Sequence, residues 1–219
     1  MTIDALIAKR GITEIVHYTT HLGLTGVLAT KSLKCKNQLR AEQNLIHILK
    51  INTQREFDPE WNGYVHLSIS RINSQLFGCS WGSWHRDARW RILAFDPIIT
   101  THAGVQFVTT NNAYWQHLKR GKGAASLEAL FADTVAGRYG TRIKREEGMP
   151  ENLTTCEQAE VLYPEAVSTD FLRRIYVPSA EDQNEVAGQL YATGIATIEV
   201  VVDRNKFIGL DDADEPKPA

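Results

Sequence analysis

Glu160 is the residue of this 219-residue chain that most calls for a chemical explanation. It stands in Gln158-Ala159-Glu160-Val161-Leu162, a carboxylate inside an otherwise apolar run. Burying a charge without a partner is costly, so either a function holds it there or it faces water. Period-2 alternation permits the second case, with Glu160 on the outer face of an edge strand and Ala159 and Val161 turned inward. A second candidate is His17-Tyr18-Thr19, at the end of an early β-branched stretch. A histidine there can meet a ligand, and it is equally the residue that a half-buried strand carries. The third is the stretch before Glu160. Between Lys119 and Arg145 lie seven basic residues, Lys119, Arg120, Lys122, Arg138, Arg142, Lys144 and Arg145, against two acids, Glu128 and Asp133. A basic surplus is commonly just a solvated face. Here it lies in a glycine-containing loop that leads into the Glu160 strand, where it would set phosphate-binding groups beside a carboxylate.

Other residues carry weaker signals. Trp81-Gly82-Ser83-Trp84-His85-Arg86 could stack on bases, but core packing explains its tryptophans as well. Arg55 follows polar Asn52, Thr53 and Gln54 and by type is a surface arginine. Cys35, Cys79 and Cys156 are far apart and no CxxC occurs, so neither a structural zinc site nor a disulfide framework is expected. Neither GxGxxG after a strand nor GxxxxGK[ST] is present, which disfavours a Rossmann dinucleotide site and a P-loop. No cluster of metal-binding carboxylates and no HxE…PCxxC is present to suggest a nuclease or deaminase.

The elements that must position these groups read as follows. Ile15 to Thr19 is a strand. Thr20 caps a helix whose apolar face is Leu22, Leu24, Val27 and Leu28. Residues 38–57 have helical spacing. Tyr64 to Ile69 alternates as a strand, and a short helix spans Ser74 to Phe77. Trp90 to Phe95 is a strand stopped by Asp96-Pro97, and Val105 to Thr110 is another. Leu127 to Val135 reads as a helix, and Ala136 to Thr155 as a long loop. Ala159 to Tyr163 is a strand ended by Pro164. Leu172 to Val177, Ala180 to Tyr191 and Ala196 to Val202 read as strand, helix and strand. Strands and helices mix without a β-α-β-α rhythm, which predicts an α+β fold.

Apolar residues make up 43% and charged residues 23%, the composition of a protein with a true core. One domain over residues 1–210 is expected, with 211–219 as an acidic, proline-containing tail. The net charge is −2, so any nucleic-acid binding must come from a local basic surface. No signal peptide and no membrane-length apolar run is present, and the cytoplasm is the expected compartment.

Four stretches in this order resemble the DarT family of DNA ADP-ribosyltransferases, the toxin half of toxin–antitoxin pairs. They are Ile15-Val16-His17-Tyr18-Thr19 followed by Leu24-Thr25-Gly26-Val27-Leu28; Arg55 before Gly63-Tyr64-Val65; the strand ending in Phe95-Asp96-Pro97; and Gln158-Ala159-Glu160 followed by Arg173-Arg174-Ile175-Tyr176-Val177. The resemblance spans roughly residues 10 to 203. It implies a split, strongly bent pair of β-sheets with NAD+ in the cleft as co-substrate. It further implies Glu160 as the catalytic glutamate and Arg55 as a functional arginine near NAD+ and the target base. His17 would contact the ribose next to nicotinamide, Tyr18 would hold the nicotinamide amide through its backbone, Thr19 would sit nearby, and Arg71 is assigned to the NAD+ site. Arg138, Arg142, Lys144 and Arg145 would present single-stranded DNA, and an ADP-ribosyl hydrolase would be the cognate antitoxin. The family's thymidine-modifying branch carries a Tyr-Val-Pro-Phe-Tyr-Phe strand followed by Pro-Arg. Here the region reads Tyr64-Val65-His66-Leu67-Ser68-Ile69-Ser70-Arg71, which leans towards a guanosine-modifying branch.

The residue types suit this chemistry. Breaking the ribose–nicotinamide bond builds positive charge on the sugar, as in glycosidases. A carboxylate can orient the sugar hydroxyl, stabilise that charge and then accept a proton from the attacking base. An arginine fork can neutralise a phosphate or polarise a base carbonyl. The mechanism needs no metal. The target nitrogen is inaccessible in a stacked duplex, so a single strand or a flipped base is expected. Two alternatives stay open: the same fold acting on RNA or protein, and a non-enzymatic nucleic-acid-binding module in which His17 and Glu160 are structural.

Overall fold

The computed structural model describes residues 1–41, 59–85, 87–114, 118–195 and 197–207. Helix α1 (Ile3–Arg10) opens the chain, capped by the Thr2 hydroxyl, which accepts from Ala5 N, and ended by Gly11 at φ 62°. Sequence reading passed over this helix, although the cap and the left-handed glycine are its signals. Strand β1 (Ile15–Thr20) leads into α2 (His21–Thr30), where Thr20 Oγ1 accepts from Gly23 N. Four of the five residues buried along α2 are Leu24, Gly26, Val27 and Leu28, whereas Leu22 is 42% exposed and not part of the apolar face expected for it. Strand β2 (Ser32–Lys34) and helix α3 (Lys36–Ala41) follow. Most of the helix expected over 38–57, Arg55 included, lies outside the described residues.

Strand β3 (Tyr64–Ile69), helix α4 (Ser74–Cys79) and strand β4 (Trp90–Phe95) match the pattern. Strands β5 (Gln106–Val108) and β6 (Arg120–Gly121) precede helix α5 (Gly123–Ala129). The helix expected over Leu127–Val135 is thus displaced. Its second half is strand β7 (Thr134–Ala136), which forms a hairpin with β8 (Arg142–Lys144) inside the presumed loop. Val135 pairs with Ile143 and both turn to the inner side, a two-residue period that overrode the helical spacing of the leucines before it. Strand β9 (Glu160–Pro164), β10 (Ala166–Ser168), β11 (Leu172–Val177), helix α6 (Ala180–Thr193) and β12 (Glu199–Val202) complete the chain.

Eight strands run in the order β12-β11-β4-β1-β3-β9-β5-β6, with β10 and β2 pairing apart. All neighbours are antiparallel except β11 and β12, which α6 connects. The fold is α+β, as expected. One core fills the face covered by the helices, with Leu6, Leu24, Leu127 and Val186 against Ile15, Leu93, Phe107 and Val161. A second lies on the opposite face, where Phe77, Trp90, Ile92 and Phe207 meet. Each such fully buried side chain contributes about 1.5–3 kcal/mol. Arg91 alternates onto the helical face of β4 with no exposure, and its guanidinium reaches Asp182 at 2.8 Å and Glu185 at 3.2 Å on α6. Burial lowers the Arg91 pKa while the two carboxylates oppose the shift. These pairs tie α6 to the sheet half that carries β1. Among the described residues no helix is long and apolar enough to cross a membrane.

Candidate active site

Strands β1 and β3 are neighbours over only two registered pairs, Ile15↔Ile69 and Val16↔Ser68. From His17 onward β1 stays with β4, in register to Thr20↔Trp90, while β3 stays with β9. The sheet therefore splits between β1 and β3, and His17 stands where the two halves part. Ser70 N donates to Glu14 O on the β3 side, and His21 N donates to Arg89 O on the β4 side. In an antiparallel ladder, alternate residues turn both main-chain groups to alternate neighbours. The N–H and C=O of Tyr18 thus point into the split. In an unbroken ladder Tyr18 would pair with His66. Instead His17 Nδ1 lies 2.9 Å from the His66 carbonyl oxygen. A carbonyl only accepts, so the proton of a neutral His17 ring is on Nδ1, and Nε2 is its accepting nitrogen.

The Tyr18 side chain is committed elsewhere. Its ring meets Phe77 and Trp90 edge-on at centroid distances of 5.2 and 5.7 Å, and its hydroxyl is 3.4 Å from Ser80 Oγ. Thr19 packs over α2: a Cβ added at Gly23 would stand 2.0 Å from Thr19 Oγ1. Trp81 is partly buried against the second core, the packing explanation for that aromatic.

Glu160 opens β9, pairs with Val108 and is 9% exposed. Its neighbours Ala159 and Val161 are in the core, as alternation requires, but Glu160 does not face open solvent. Its Oε2 accepts from His66 Nδ1 at 2.8 Å, with side-chain exposures of 10% for His66 and 11% for Glu160. The register pairs His66 with Leu162, so His66 and Glu160 are diagonal neighbours on one face. His66 was not singled out in the sequence. The alternation of β3, with Val65, Leu67 and Ile69 buried, placed it off the core face, but its pairing to a residue 94 positions away needed the register.

The run before Glu160 is stapled along its length. Thr155 donates through N to Leu130 O and through Oγ1 to Ala132 O. Ser74 Oγ donates to Glu157 Oε2. Gln158 donates to Gln75 Oε1 at 2.7 Å and accepts from the Tyr114 hydroxyl at 3.0 Å. Burial pushes up both the Cys156 thiol, 3.4 Å from Thr110 Oγ1, and the Tyr114 phenol. Arg71 follows Ser70, whose φ of 59° turns the chain at the end of β3. Arg71 Nη2 reaches Thr154 O at 3.4 Å, and Arg71 Nε and Ser70 Oγ are buried without a hydrogen-bond partner among the described residues.

The basic residues divide by geometry. Arg120 Nε donates to Asn112 Oδ1 at 2.8 Å, and its guanidinium lies 4.0 Å from the Trp61 ring centroid. Arg145 donates to the carbonyls of Leu153 and Pro150, each at 2.7 Å, and these bonds brace the loop. Arg142 and Lys144 are exposed at alternate positions of β8. Arg138, at the hairpin tip, lies 4.7 Å from the ring of Tyr139 and 5.7 Å from that of Tyr114. Tyr139 is 80% exposed at φ 57°, a second residue that sequence reading passed over. Among the described residues no group of three His, Cys, Asp or Glu side chains could hold a metal ion.

In overall shape the chain is similar to Thermus sp. 2.9 DarT in complex with NAD+, at 18% identity and TM-score 0.63, over 89% of this chain and 97% of that one. The same protein in complex with ADP-ribosylated ssDNA aligns at 19% identity and TM-score 0.62, over 90% and 97%. Thermosipho africanus DarTG in complex with ADP-ribose aligns at 14% identity and TM-score 0.57, over 89% of this chain and 51% of that one. No curated protein sequence matches. Residues 16–208 match the family described as ssDNA thymidine ADP-ribosyltransferase, DarT. A split α+β sheet with a buried glutamate beside the split, and a family match across nearly the whole chain, make this protein a member of the DarT family of NAD-dependent ADP-ribosyltransferases that act on single-stranded DNA.

Proposed function

We propose that this chain attaches ADP-ribose to a base of single-stranded DNA, guanosine ahead of thymidine, with Glu160 as the catalytic group. The observation that carries the reading is the placement of Glu160: a nearly buried carboxylate, held by His66, beside a sheet split that His17 bridges. NAD+ supplies the ADP-ribosyl group, with nicotinamide as the leaving group. The chain has groups that fit it: the Tyr18 main chain turned into the split, the accepting Nε2 of His17, and Arg71 with its unpartnered buried Nε. Thr19 supports this wall by its contact with α2. Glu160 accepts a hydrogen bond from a sugar hydroxyl, stabilises positive charge beside it and takes the proton of the attacking base nitrogen. Arg55 is assigned to the base and the reacting end of NAD+ on family grounds alone.

Arg138, Arg142, Lys144 and the exposed Tyr139 form the DNA-facing surface, with charges for phosphates and a ring for a base. Arg145, also counted with this group in the sequence, is given to loop structure instead. The guanosine preference rests on β3, whose off-core residues are Tyr64, His66 and Ser68 rather than the aromatic series of the thymidine branch. A toxin role with an ADP-ribosyl hydrolase as antitoxin, acting in the cytoplasm, is assigned on family grounds; the solved DarTG chain, of which the matched part is 51%, is in keeping with a partner encoded beside such a domain. The test is to incubate the protein with NAD+ and single-stranded oligonucleotides that each lack one base, then weigh the products. Loss of the added ADP-ribose mass only when guanine is omitted supports the full reading. Loss only when thymine is omitted moves the target to thymidine. Intact NAD+ together with salt-dependent DNA binding points to the plain binding module.

A further inference from the structure

We propose that His66 is a positioning residue for the transfer: its ring holds one oxygen of Glu160, and its main-chain carbonyl holds the ring of His17, so one residue of β3 orders both sides of the split. The inference rests on the assignment of Glu160 as catalytic. The two contacts are 2.8 Å and 2.9 Å, and each fixes a proton. A carboxylate and a carbonyl only accept, so His66 Nδ1 and His17 Nδ1 both carry hydrogen. With Oε2 held, the carboxylate of Glu160 turns less freely about its last side-chain bond. The donor also offsets the cost of placing a carboxylate where only 11% of its side chain meets solvent.

The ladder explains why a single residue does both. The main-chain groups of Ser68 face β1, so by alternation those of His66 do too, while Val65 and Leu67 pair with β9. The His66 side chain, perpendicular to that direction, stands on the face that carries Leu162 and Glu160. A proline or an aliphatic residue at this position would keep the carbonyl and lose the ring contact. The positioning of Glu160 is therefore a property of the side chain at 66, and the bridge to His17 is a property of the backbone there.

This separation makes the test clean, because substitutions at 66 leave the His17 contact in place. Asparagine puts an amide N–H near the position of Nδ1, whereas glutamine puts it further out, near that of Nε2. Wild type, Glu160→Gln, His66→Ala, His66→Asn and His66→Gln are compared on one single-stranded oligonucleotide, with kcat, KM for NAD+ and folding followed for each. For His66→Ala we expect kcat to fall of the order of 10²-fold with KM for NAD+ moved less than about threefold, the pattern of a displaced catalytic group. His66→Asn should recover about tenfold or more of that loss and His66→Gln should not. If His66→Ala does not fold, the Asn-against-Gln contrast alone decides. Wild-type kcat in His66→Ala, a loss lying in KM, or equal losses in folded Asn and Gln variants overturns the proposal. Transfer by Glu160→Gln at the wild-type rate overturns the assignment of Glu160 and this inference with it. An inactive Glu160→Gln beside a fully active His66→Ala overturns the role of His66 alone.

Discussion

His17 takes with its ring the carbonyl of His66 that Tyr18 would take in a continuous sheet. One side-chain hydrogen bond thus stands where a ladder rung should be. Beyond it the two sheet halves separate, and the main chain of Tyr18 turns toward the opening. The split is built from a substitution of partners, with no main-chain acceptor left unsatisfied at His66.

Removing the charge of Glu160 tests the core of the mechanism. Glu160→Gln should reduce transfer to DNA by about 10²–10⁴-fold, the range for a lost general base. NAD+ binding, measured by calorimetry, should change by less than about tenfold, since the carboxylate acts on the reacting sugar and the base rather than on the whole dinucleotide. Equal losses of affinity and rate would mean that Glu160 mainly binds.

The basic residues of the hairpin should separate into two behaviours. Arg142→Ala, Lys144→Ala and Arg138→Ala should each raise KM for single-stranded DNA and lower the salt dependence of binding by about one unit of slope, without changing the melting temperature much. Tyr139→Ala should weaken DNA binding by about 1–3 kcal/mol, the worth of one stacked base. Arg145→Ala should instead cost about 1–3 kcal/mol of stability, because it strips donors from the carbonyls of Leu153 and Pro150. A salt-slope change in Arg145→Ala with unaltered stability would return this residue to the DNA surface.

Gly23→Ala sets helix propensity against packing. Alanine gains at most about 1 kcal/mol over glycine in a helix, a figure for helix interiors, whereas Gly23 is in the first turn of α2 and a Cβ added there would stand 2.0 Å from Thr19 Oγ1. The clash should win, with a net loss of about 1–3 kcal/mol. The double variant Thr19→Ala/Gly23→Ala should recover most of it in a double-mutant cycle. Additive losses would show that the contact does not couple the two residues.

His21 predicts a pH dependence. Burial first, and then the neighbouring Arg89, lower its pKa from 6.5, and its Nδ1 is buried without a partner among the described residues. The unfolded chain therefore binds more protons than the folded one just below pH 6.5, so stability rises with pH there. The contribution is present above the unfolded value and is lost as pH falls through the folded one. Melting temperatures taken from about pH 5 to about pH 7 should climb more steeply for wild type than for His21→Gln. Parallel curves would place the ring in contact with solvent.

The sequence by itself determined most strands, because short β-branched and aromatic runs bounded by proline, glycine or aspartate have few other uses. It also singled out Glu160, an acid that an apolar strand does not tolerate without cause, and the order of motifs carried the family. The hairpin of β7 and β8 was hidden because Leu127, Leu130 and Phe131 keep helical spacing up to a point where only the pairing of Val135 with Ile143 ends it. Tertiary structure alone decided which basic residues face outward. Arg145 and Arg138 look alike in sequence, yet one is consumed by carbonyls of its own loop and the other lies against two tyrosine rings. It alone decided His66 as well. A contact across 94 residues depends on register between two strands, and register is set by the whole sheet rather than by any local run.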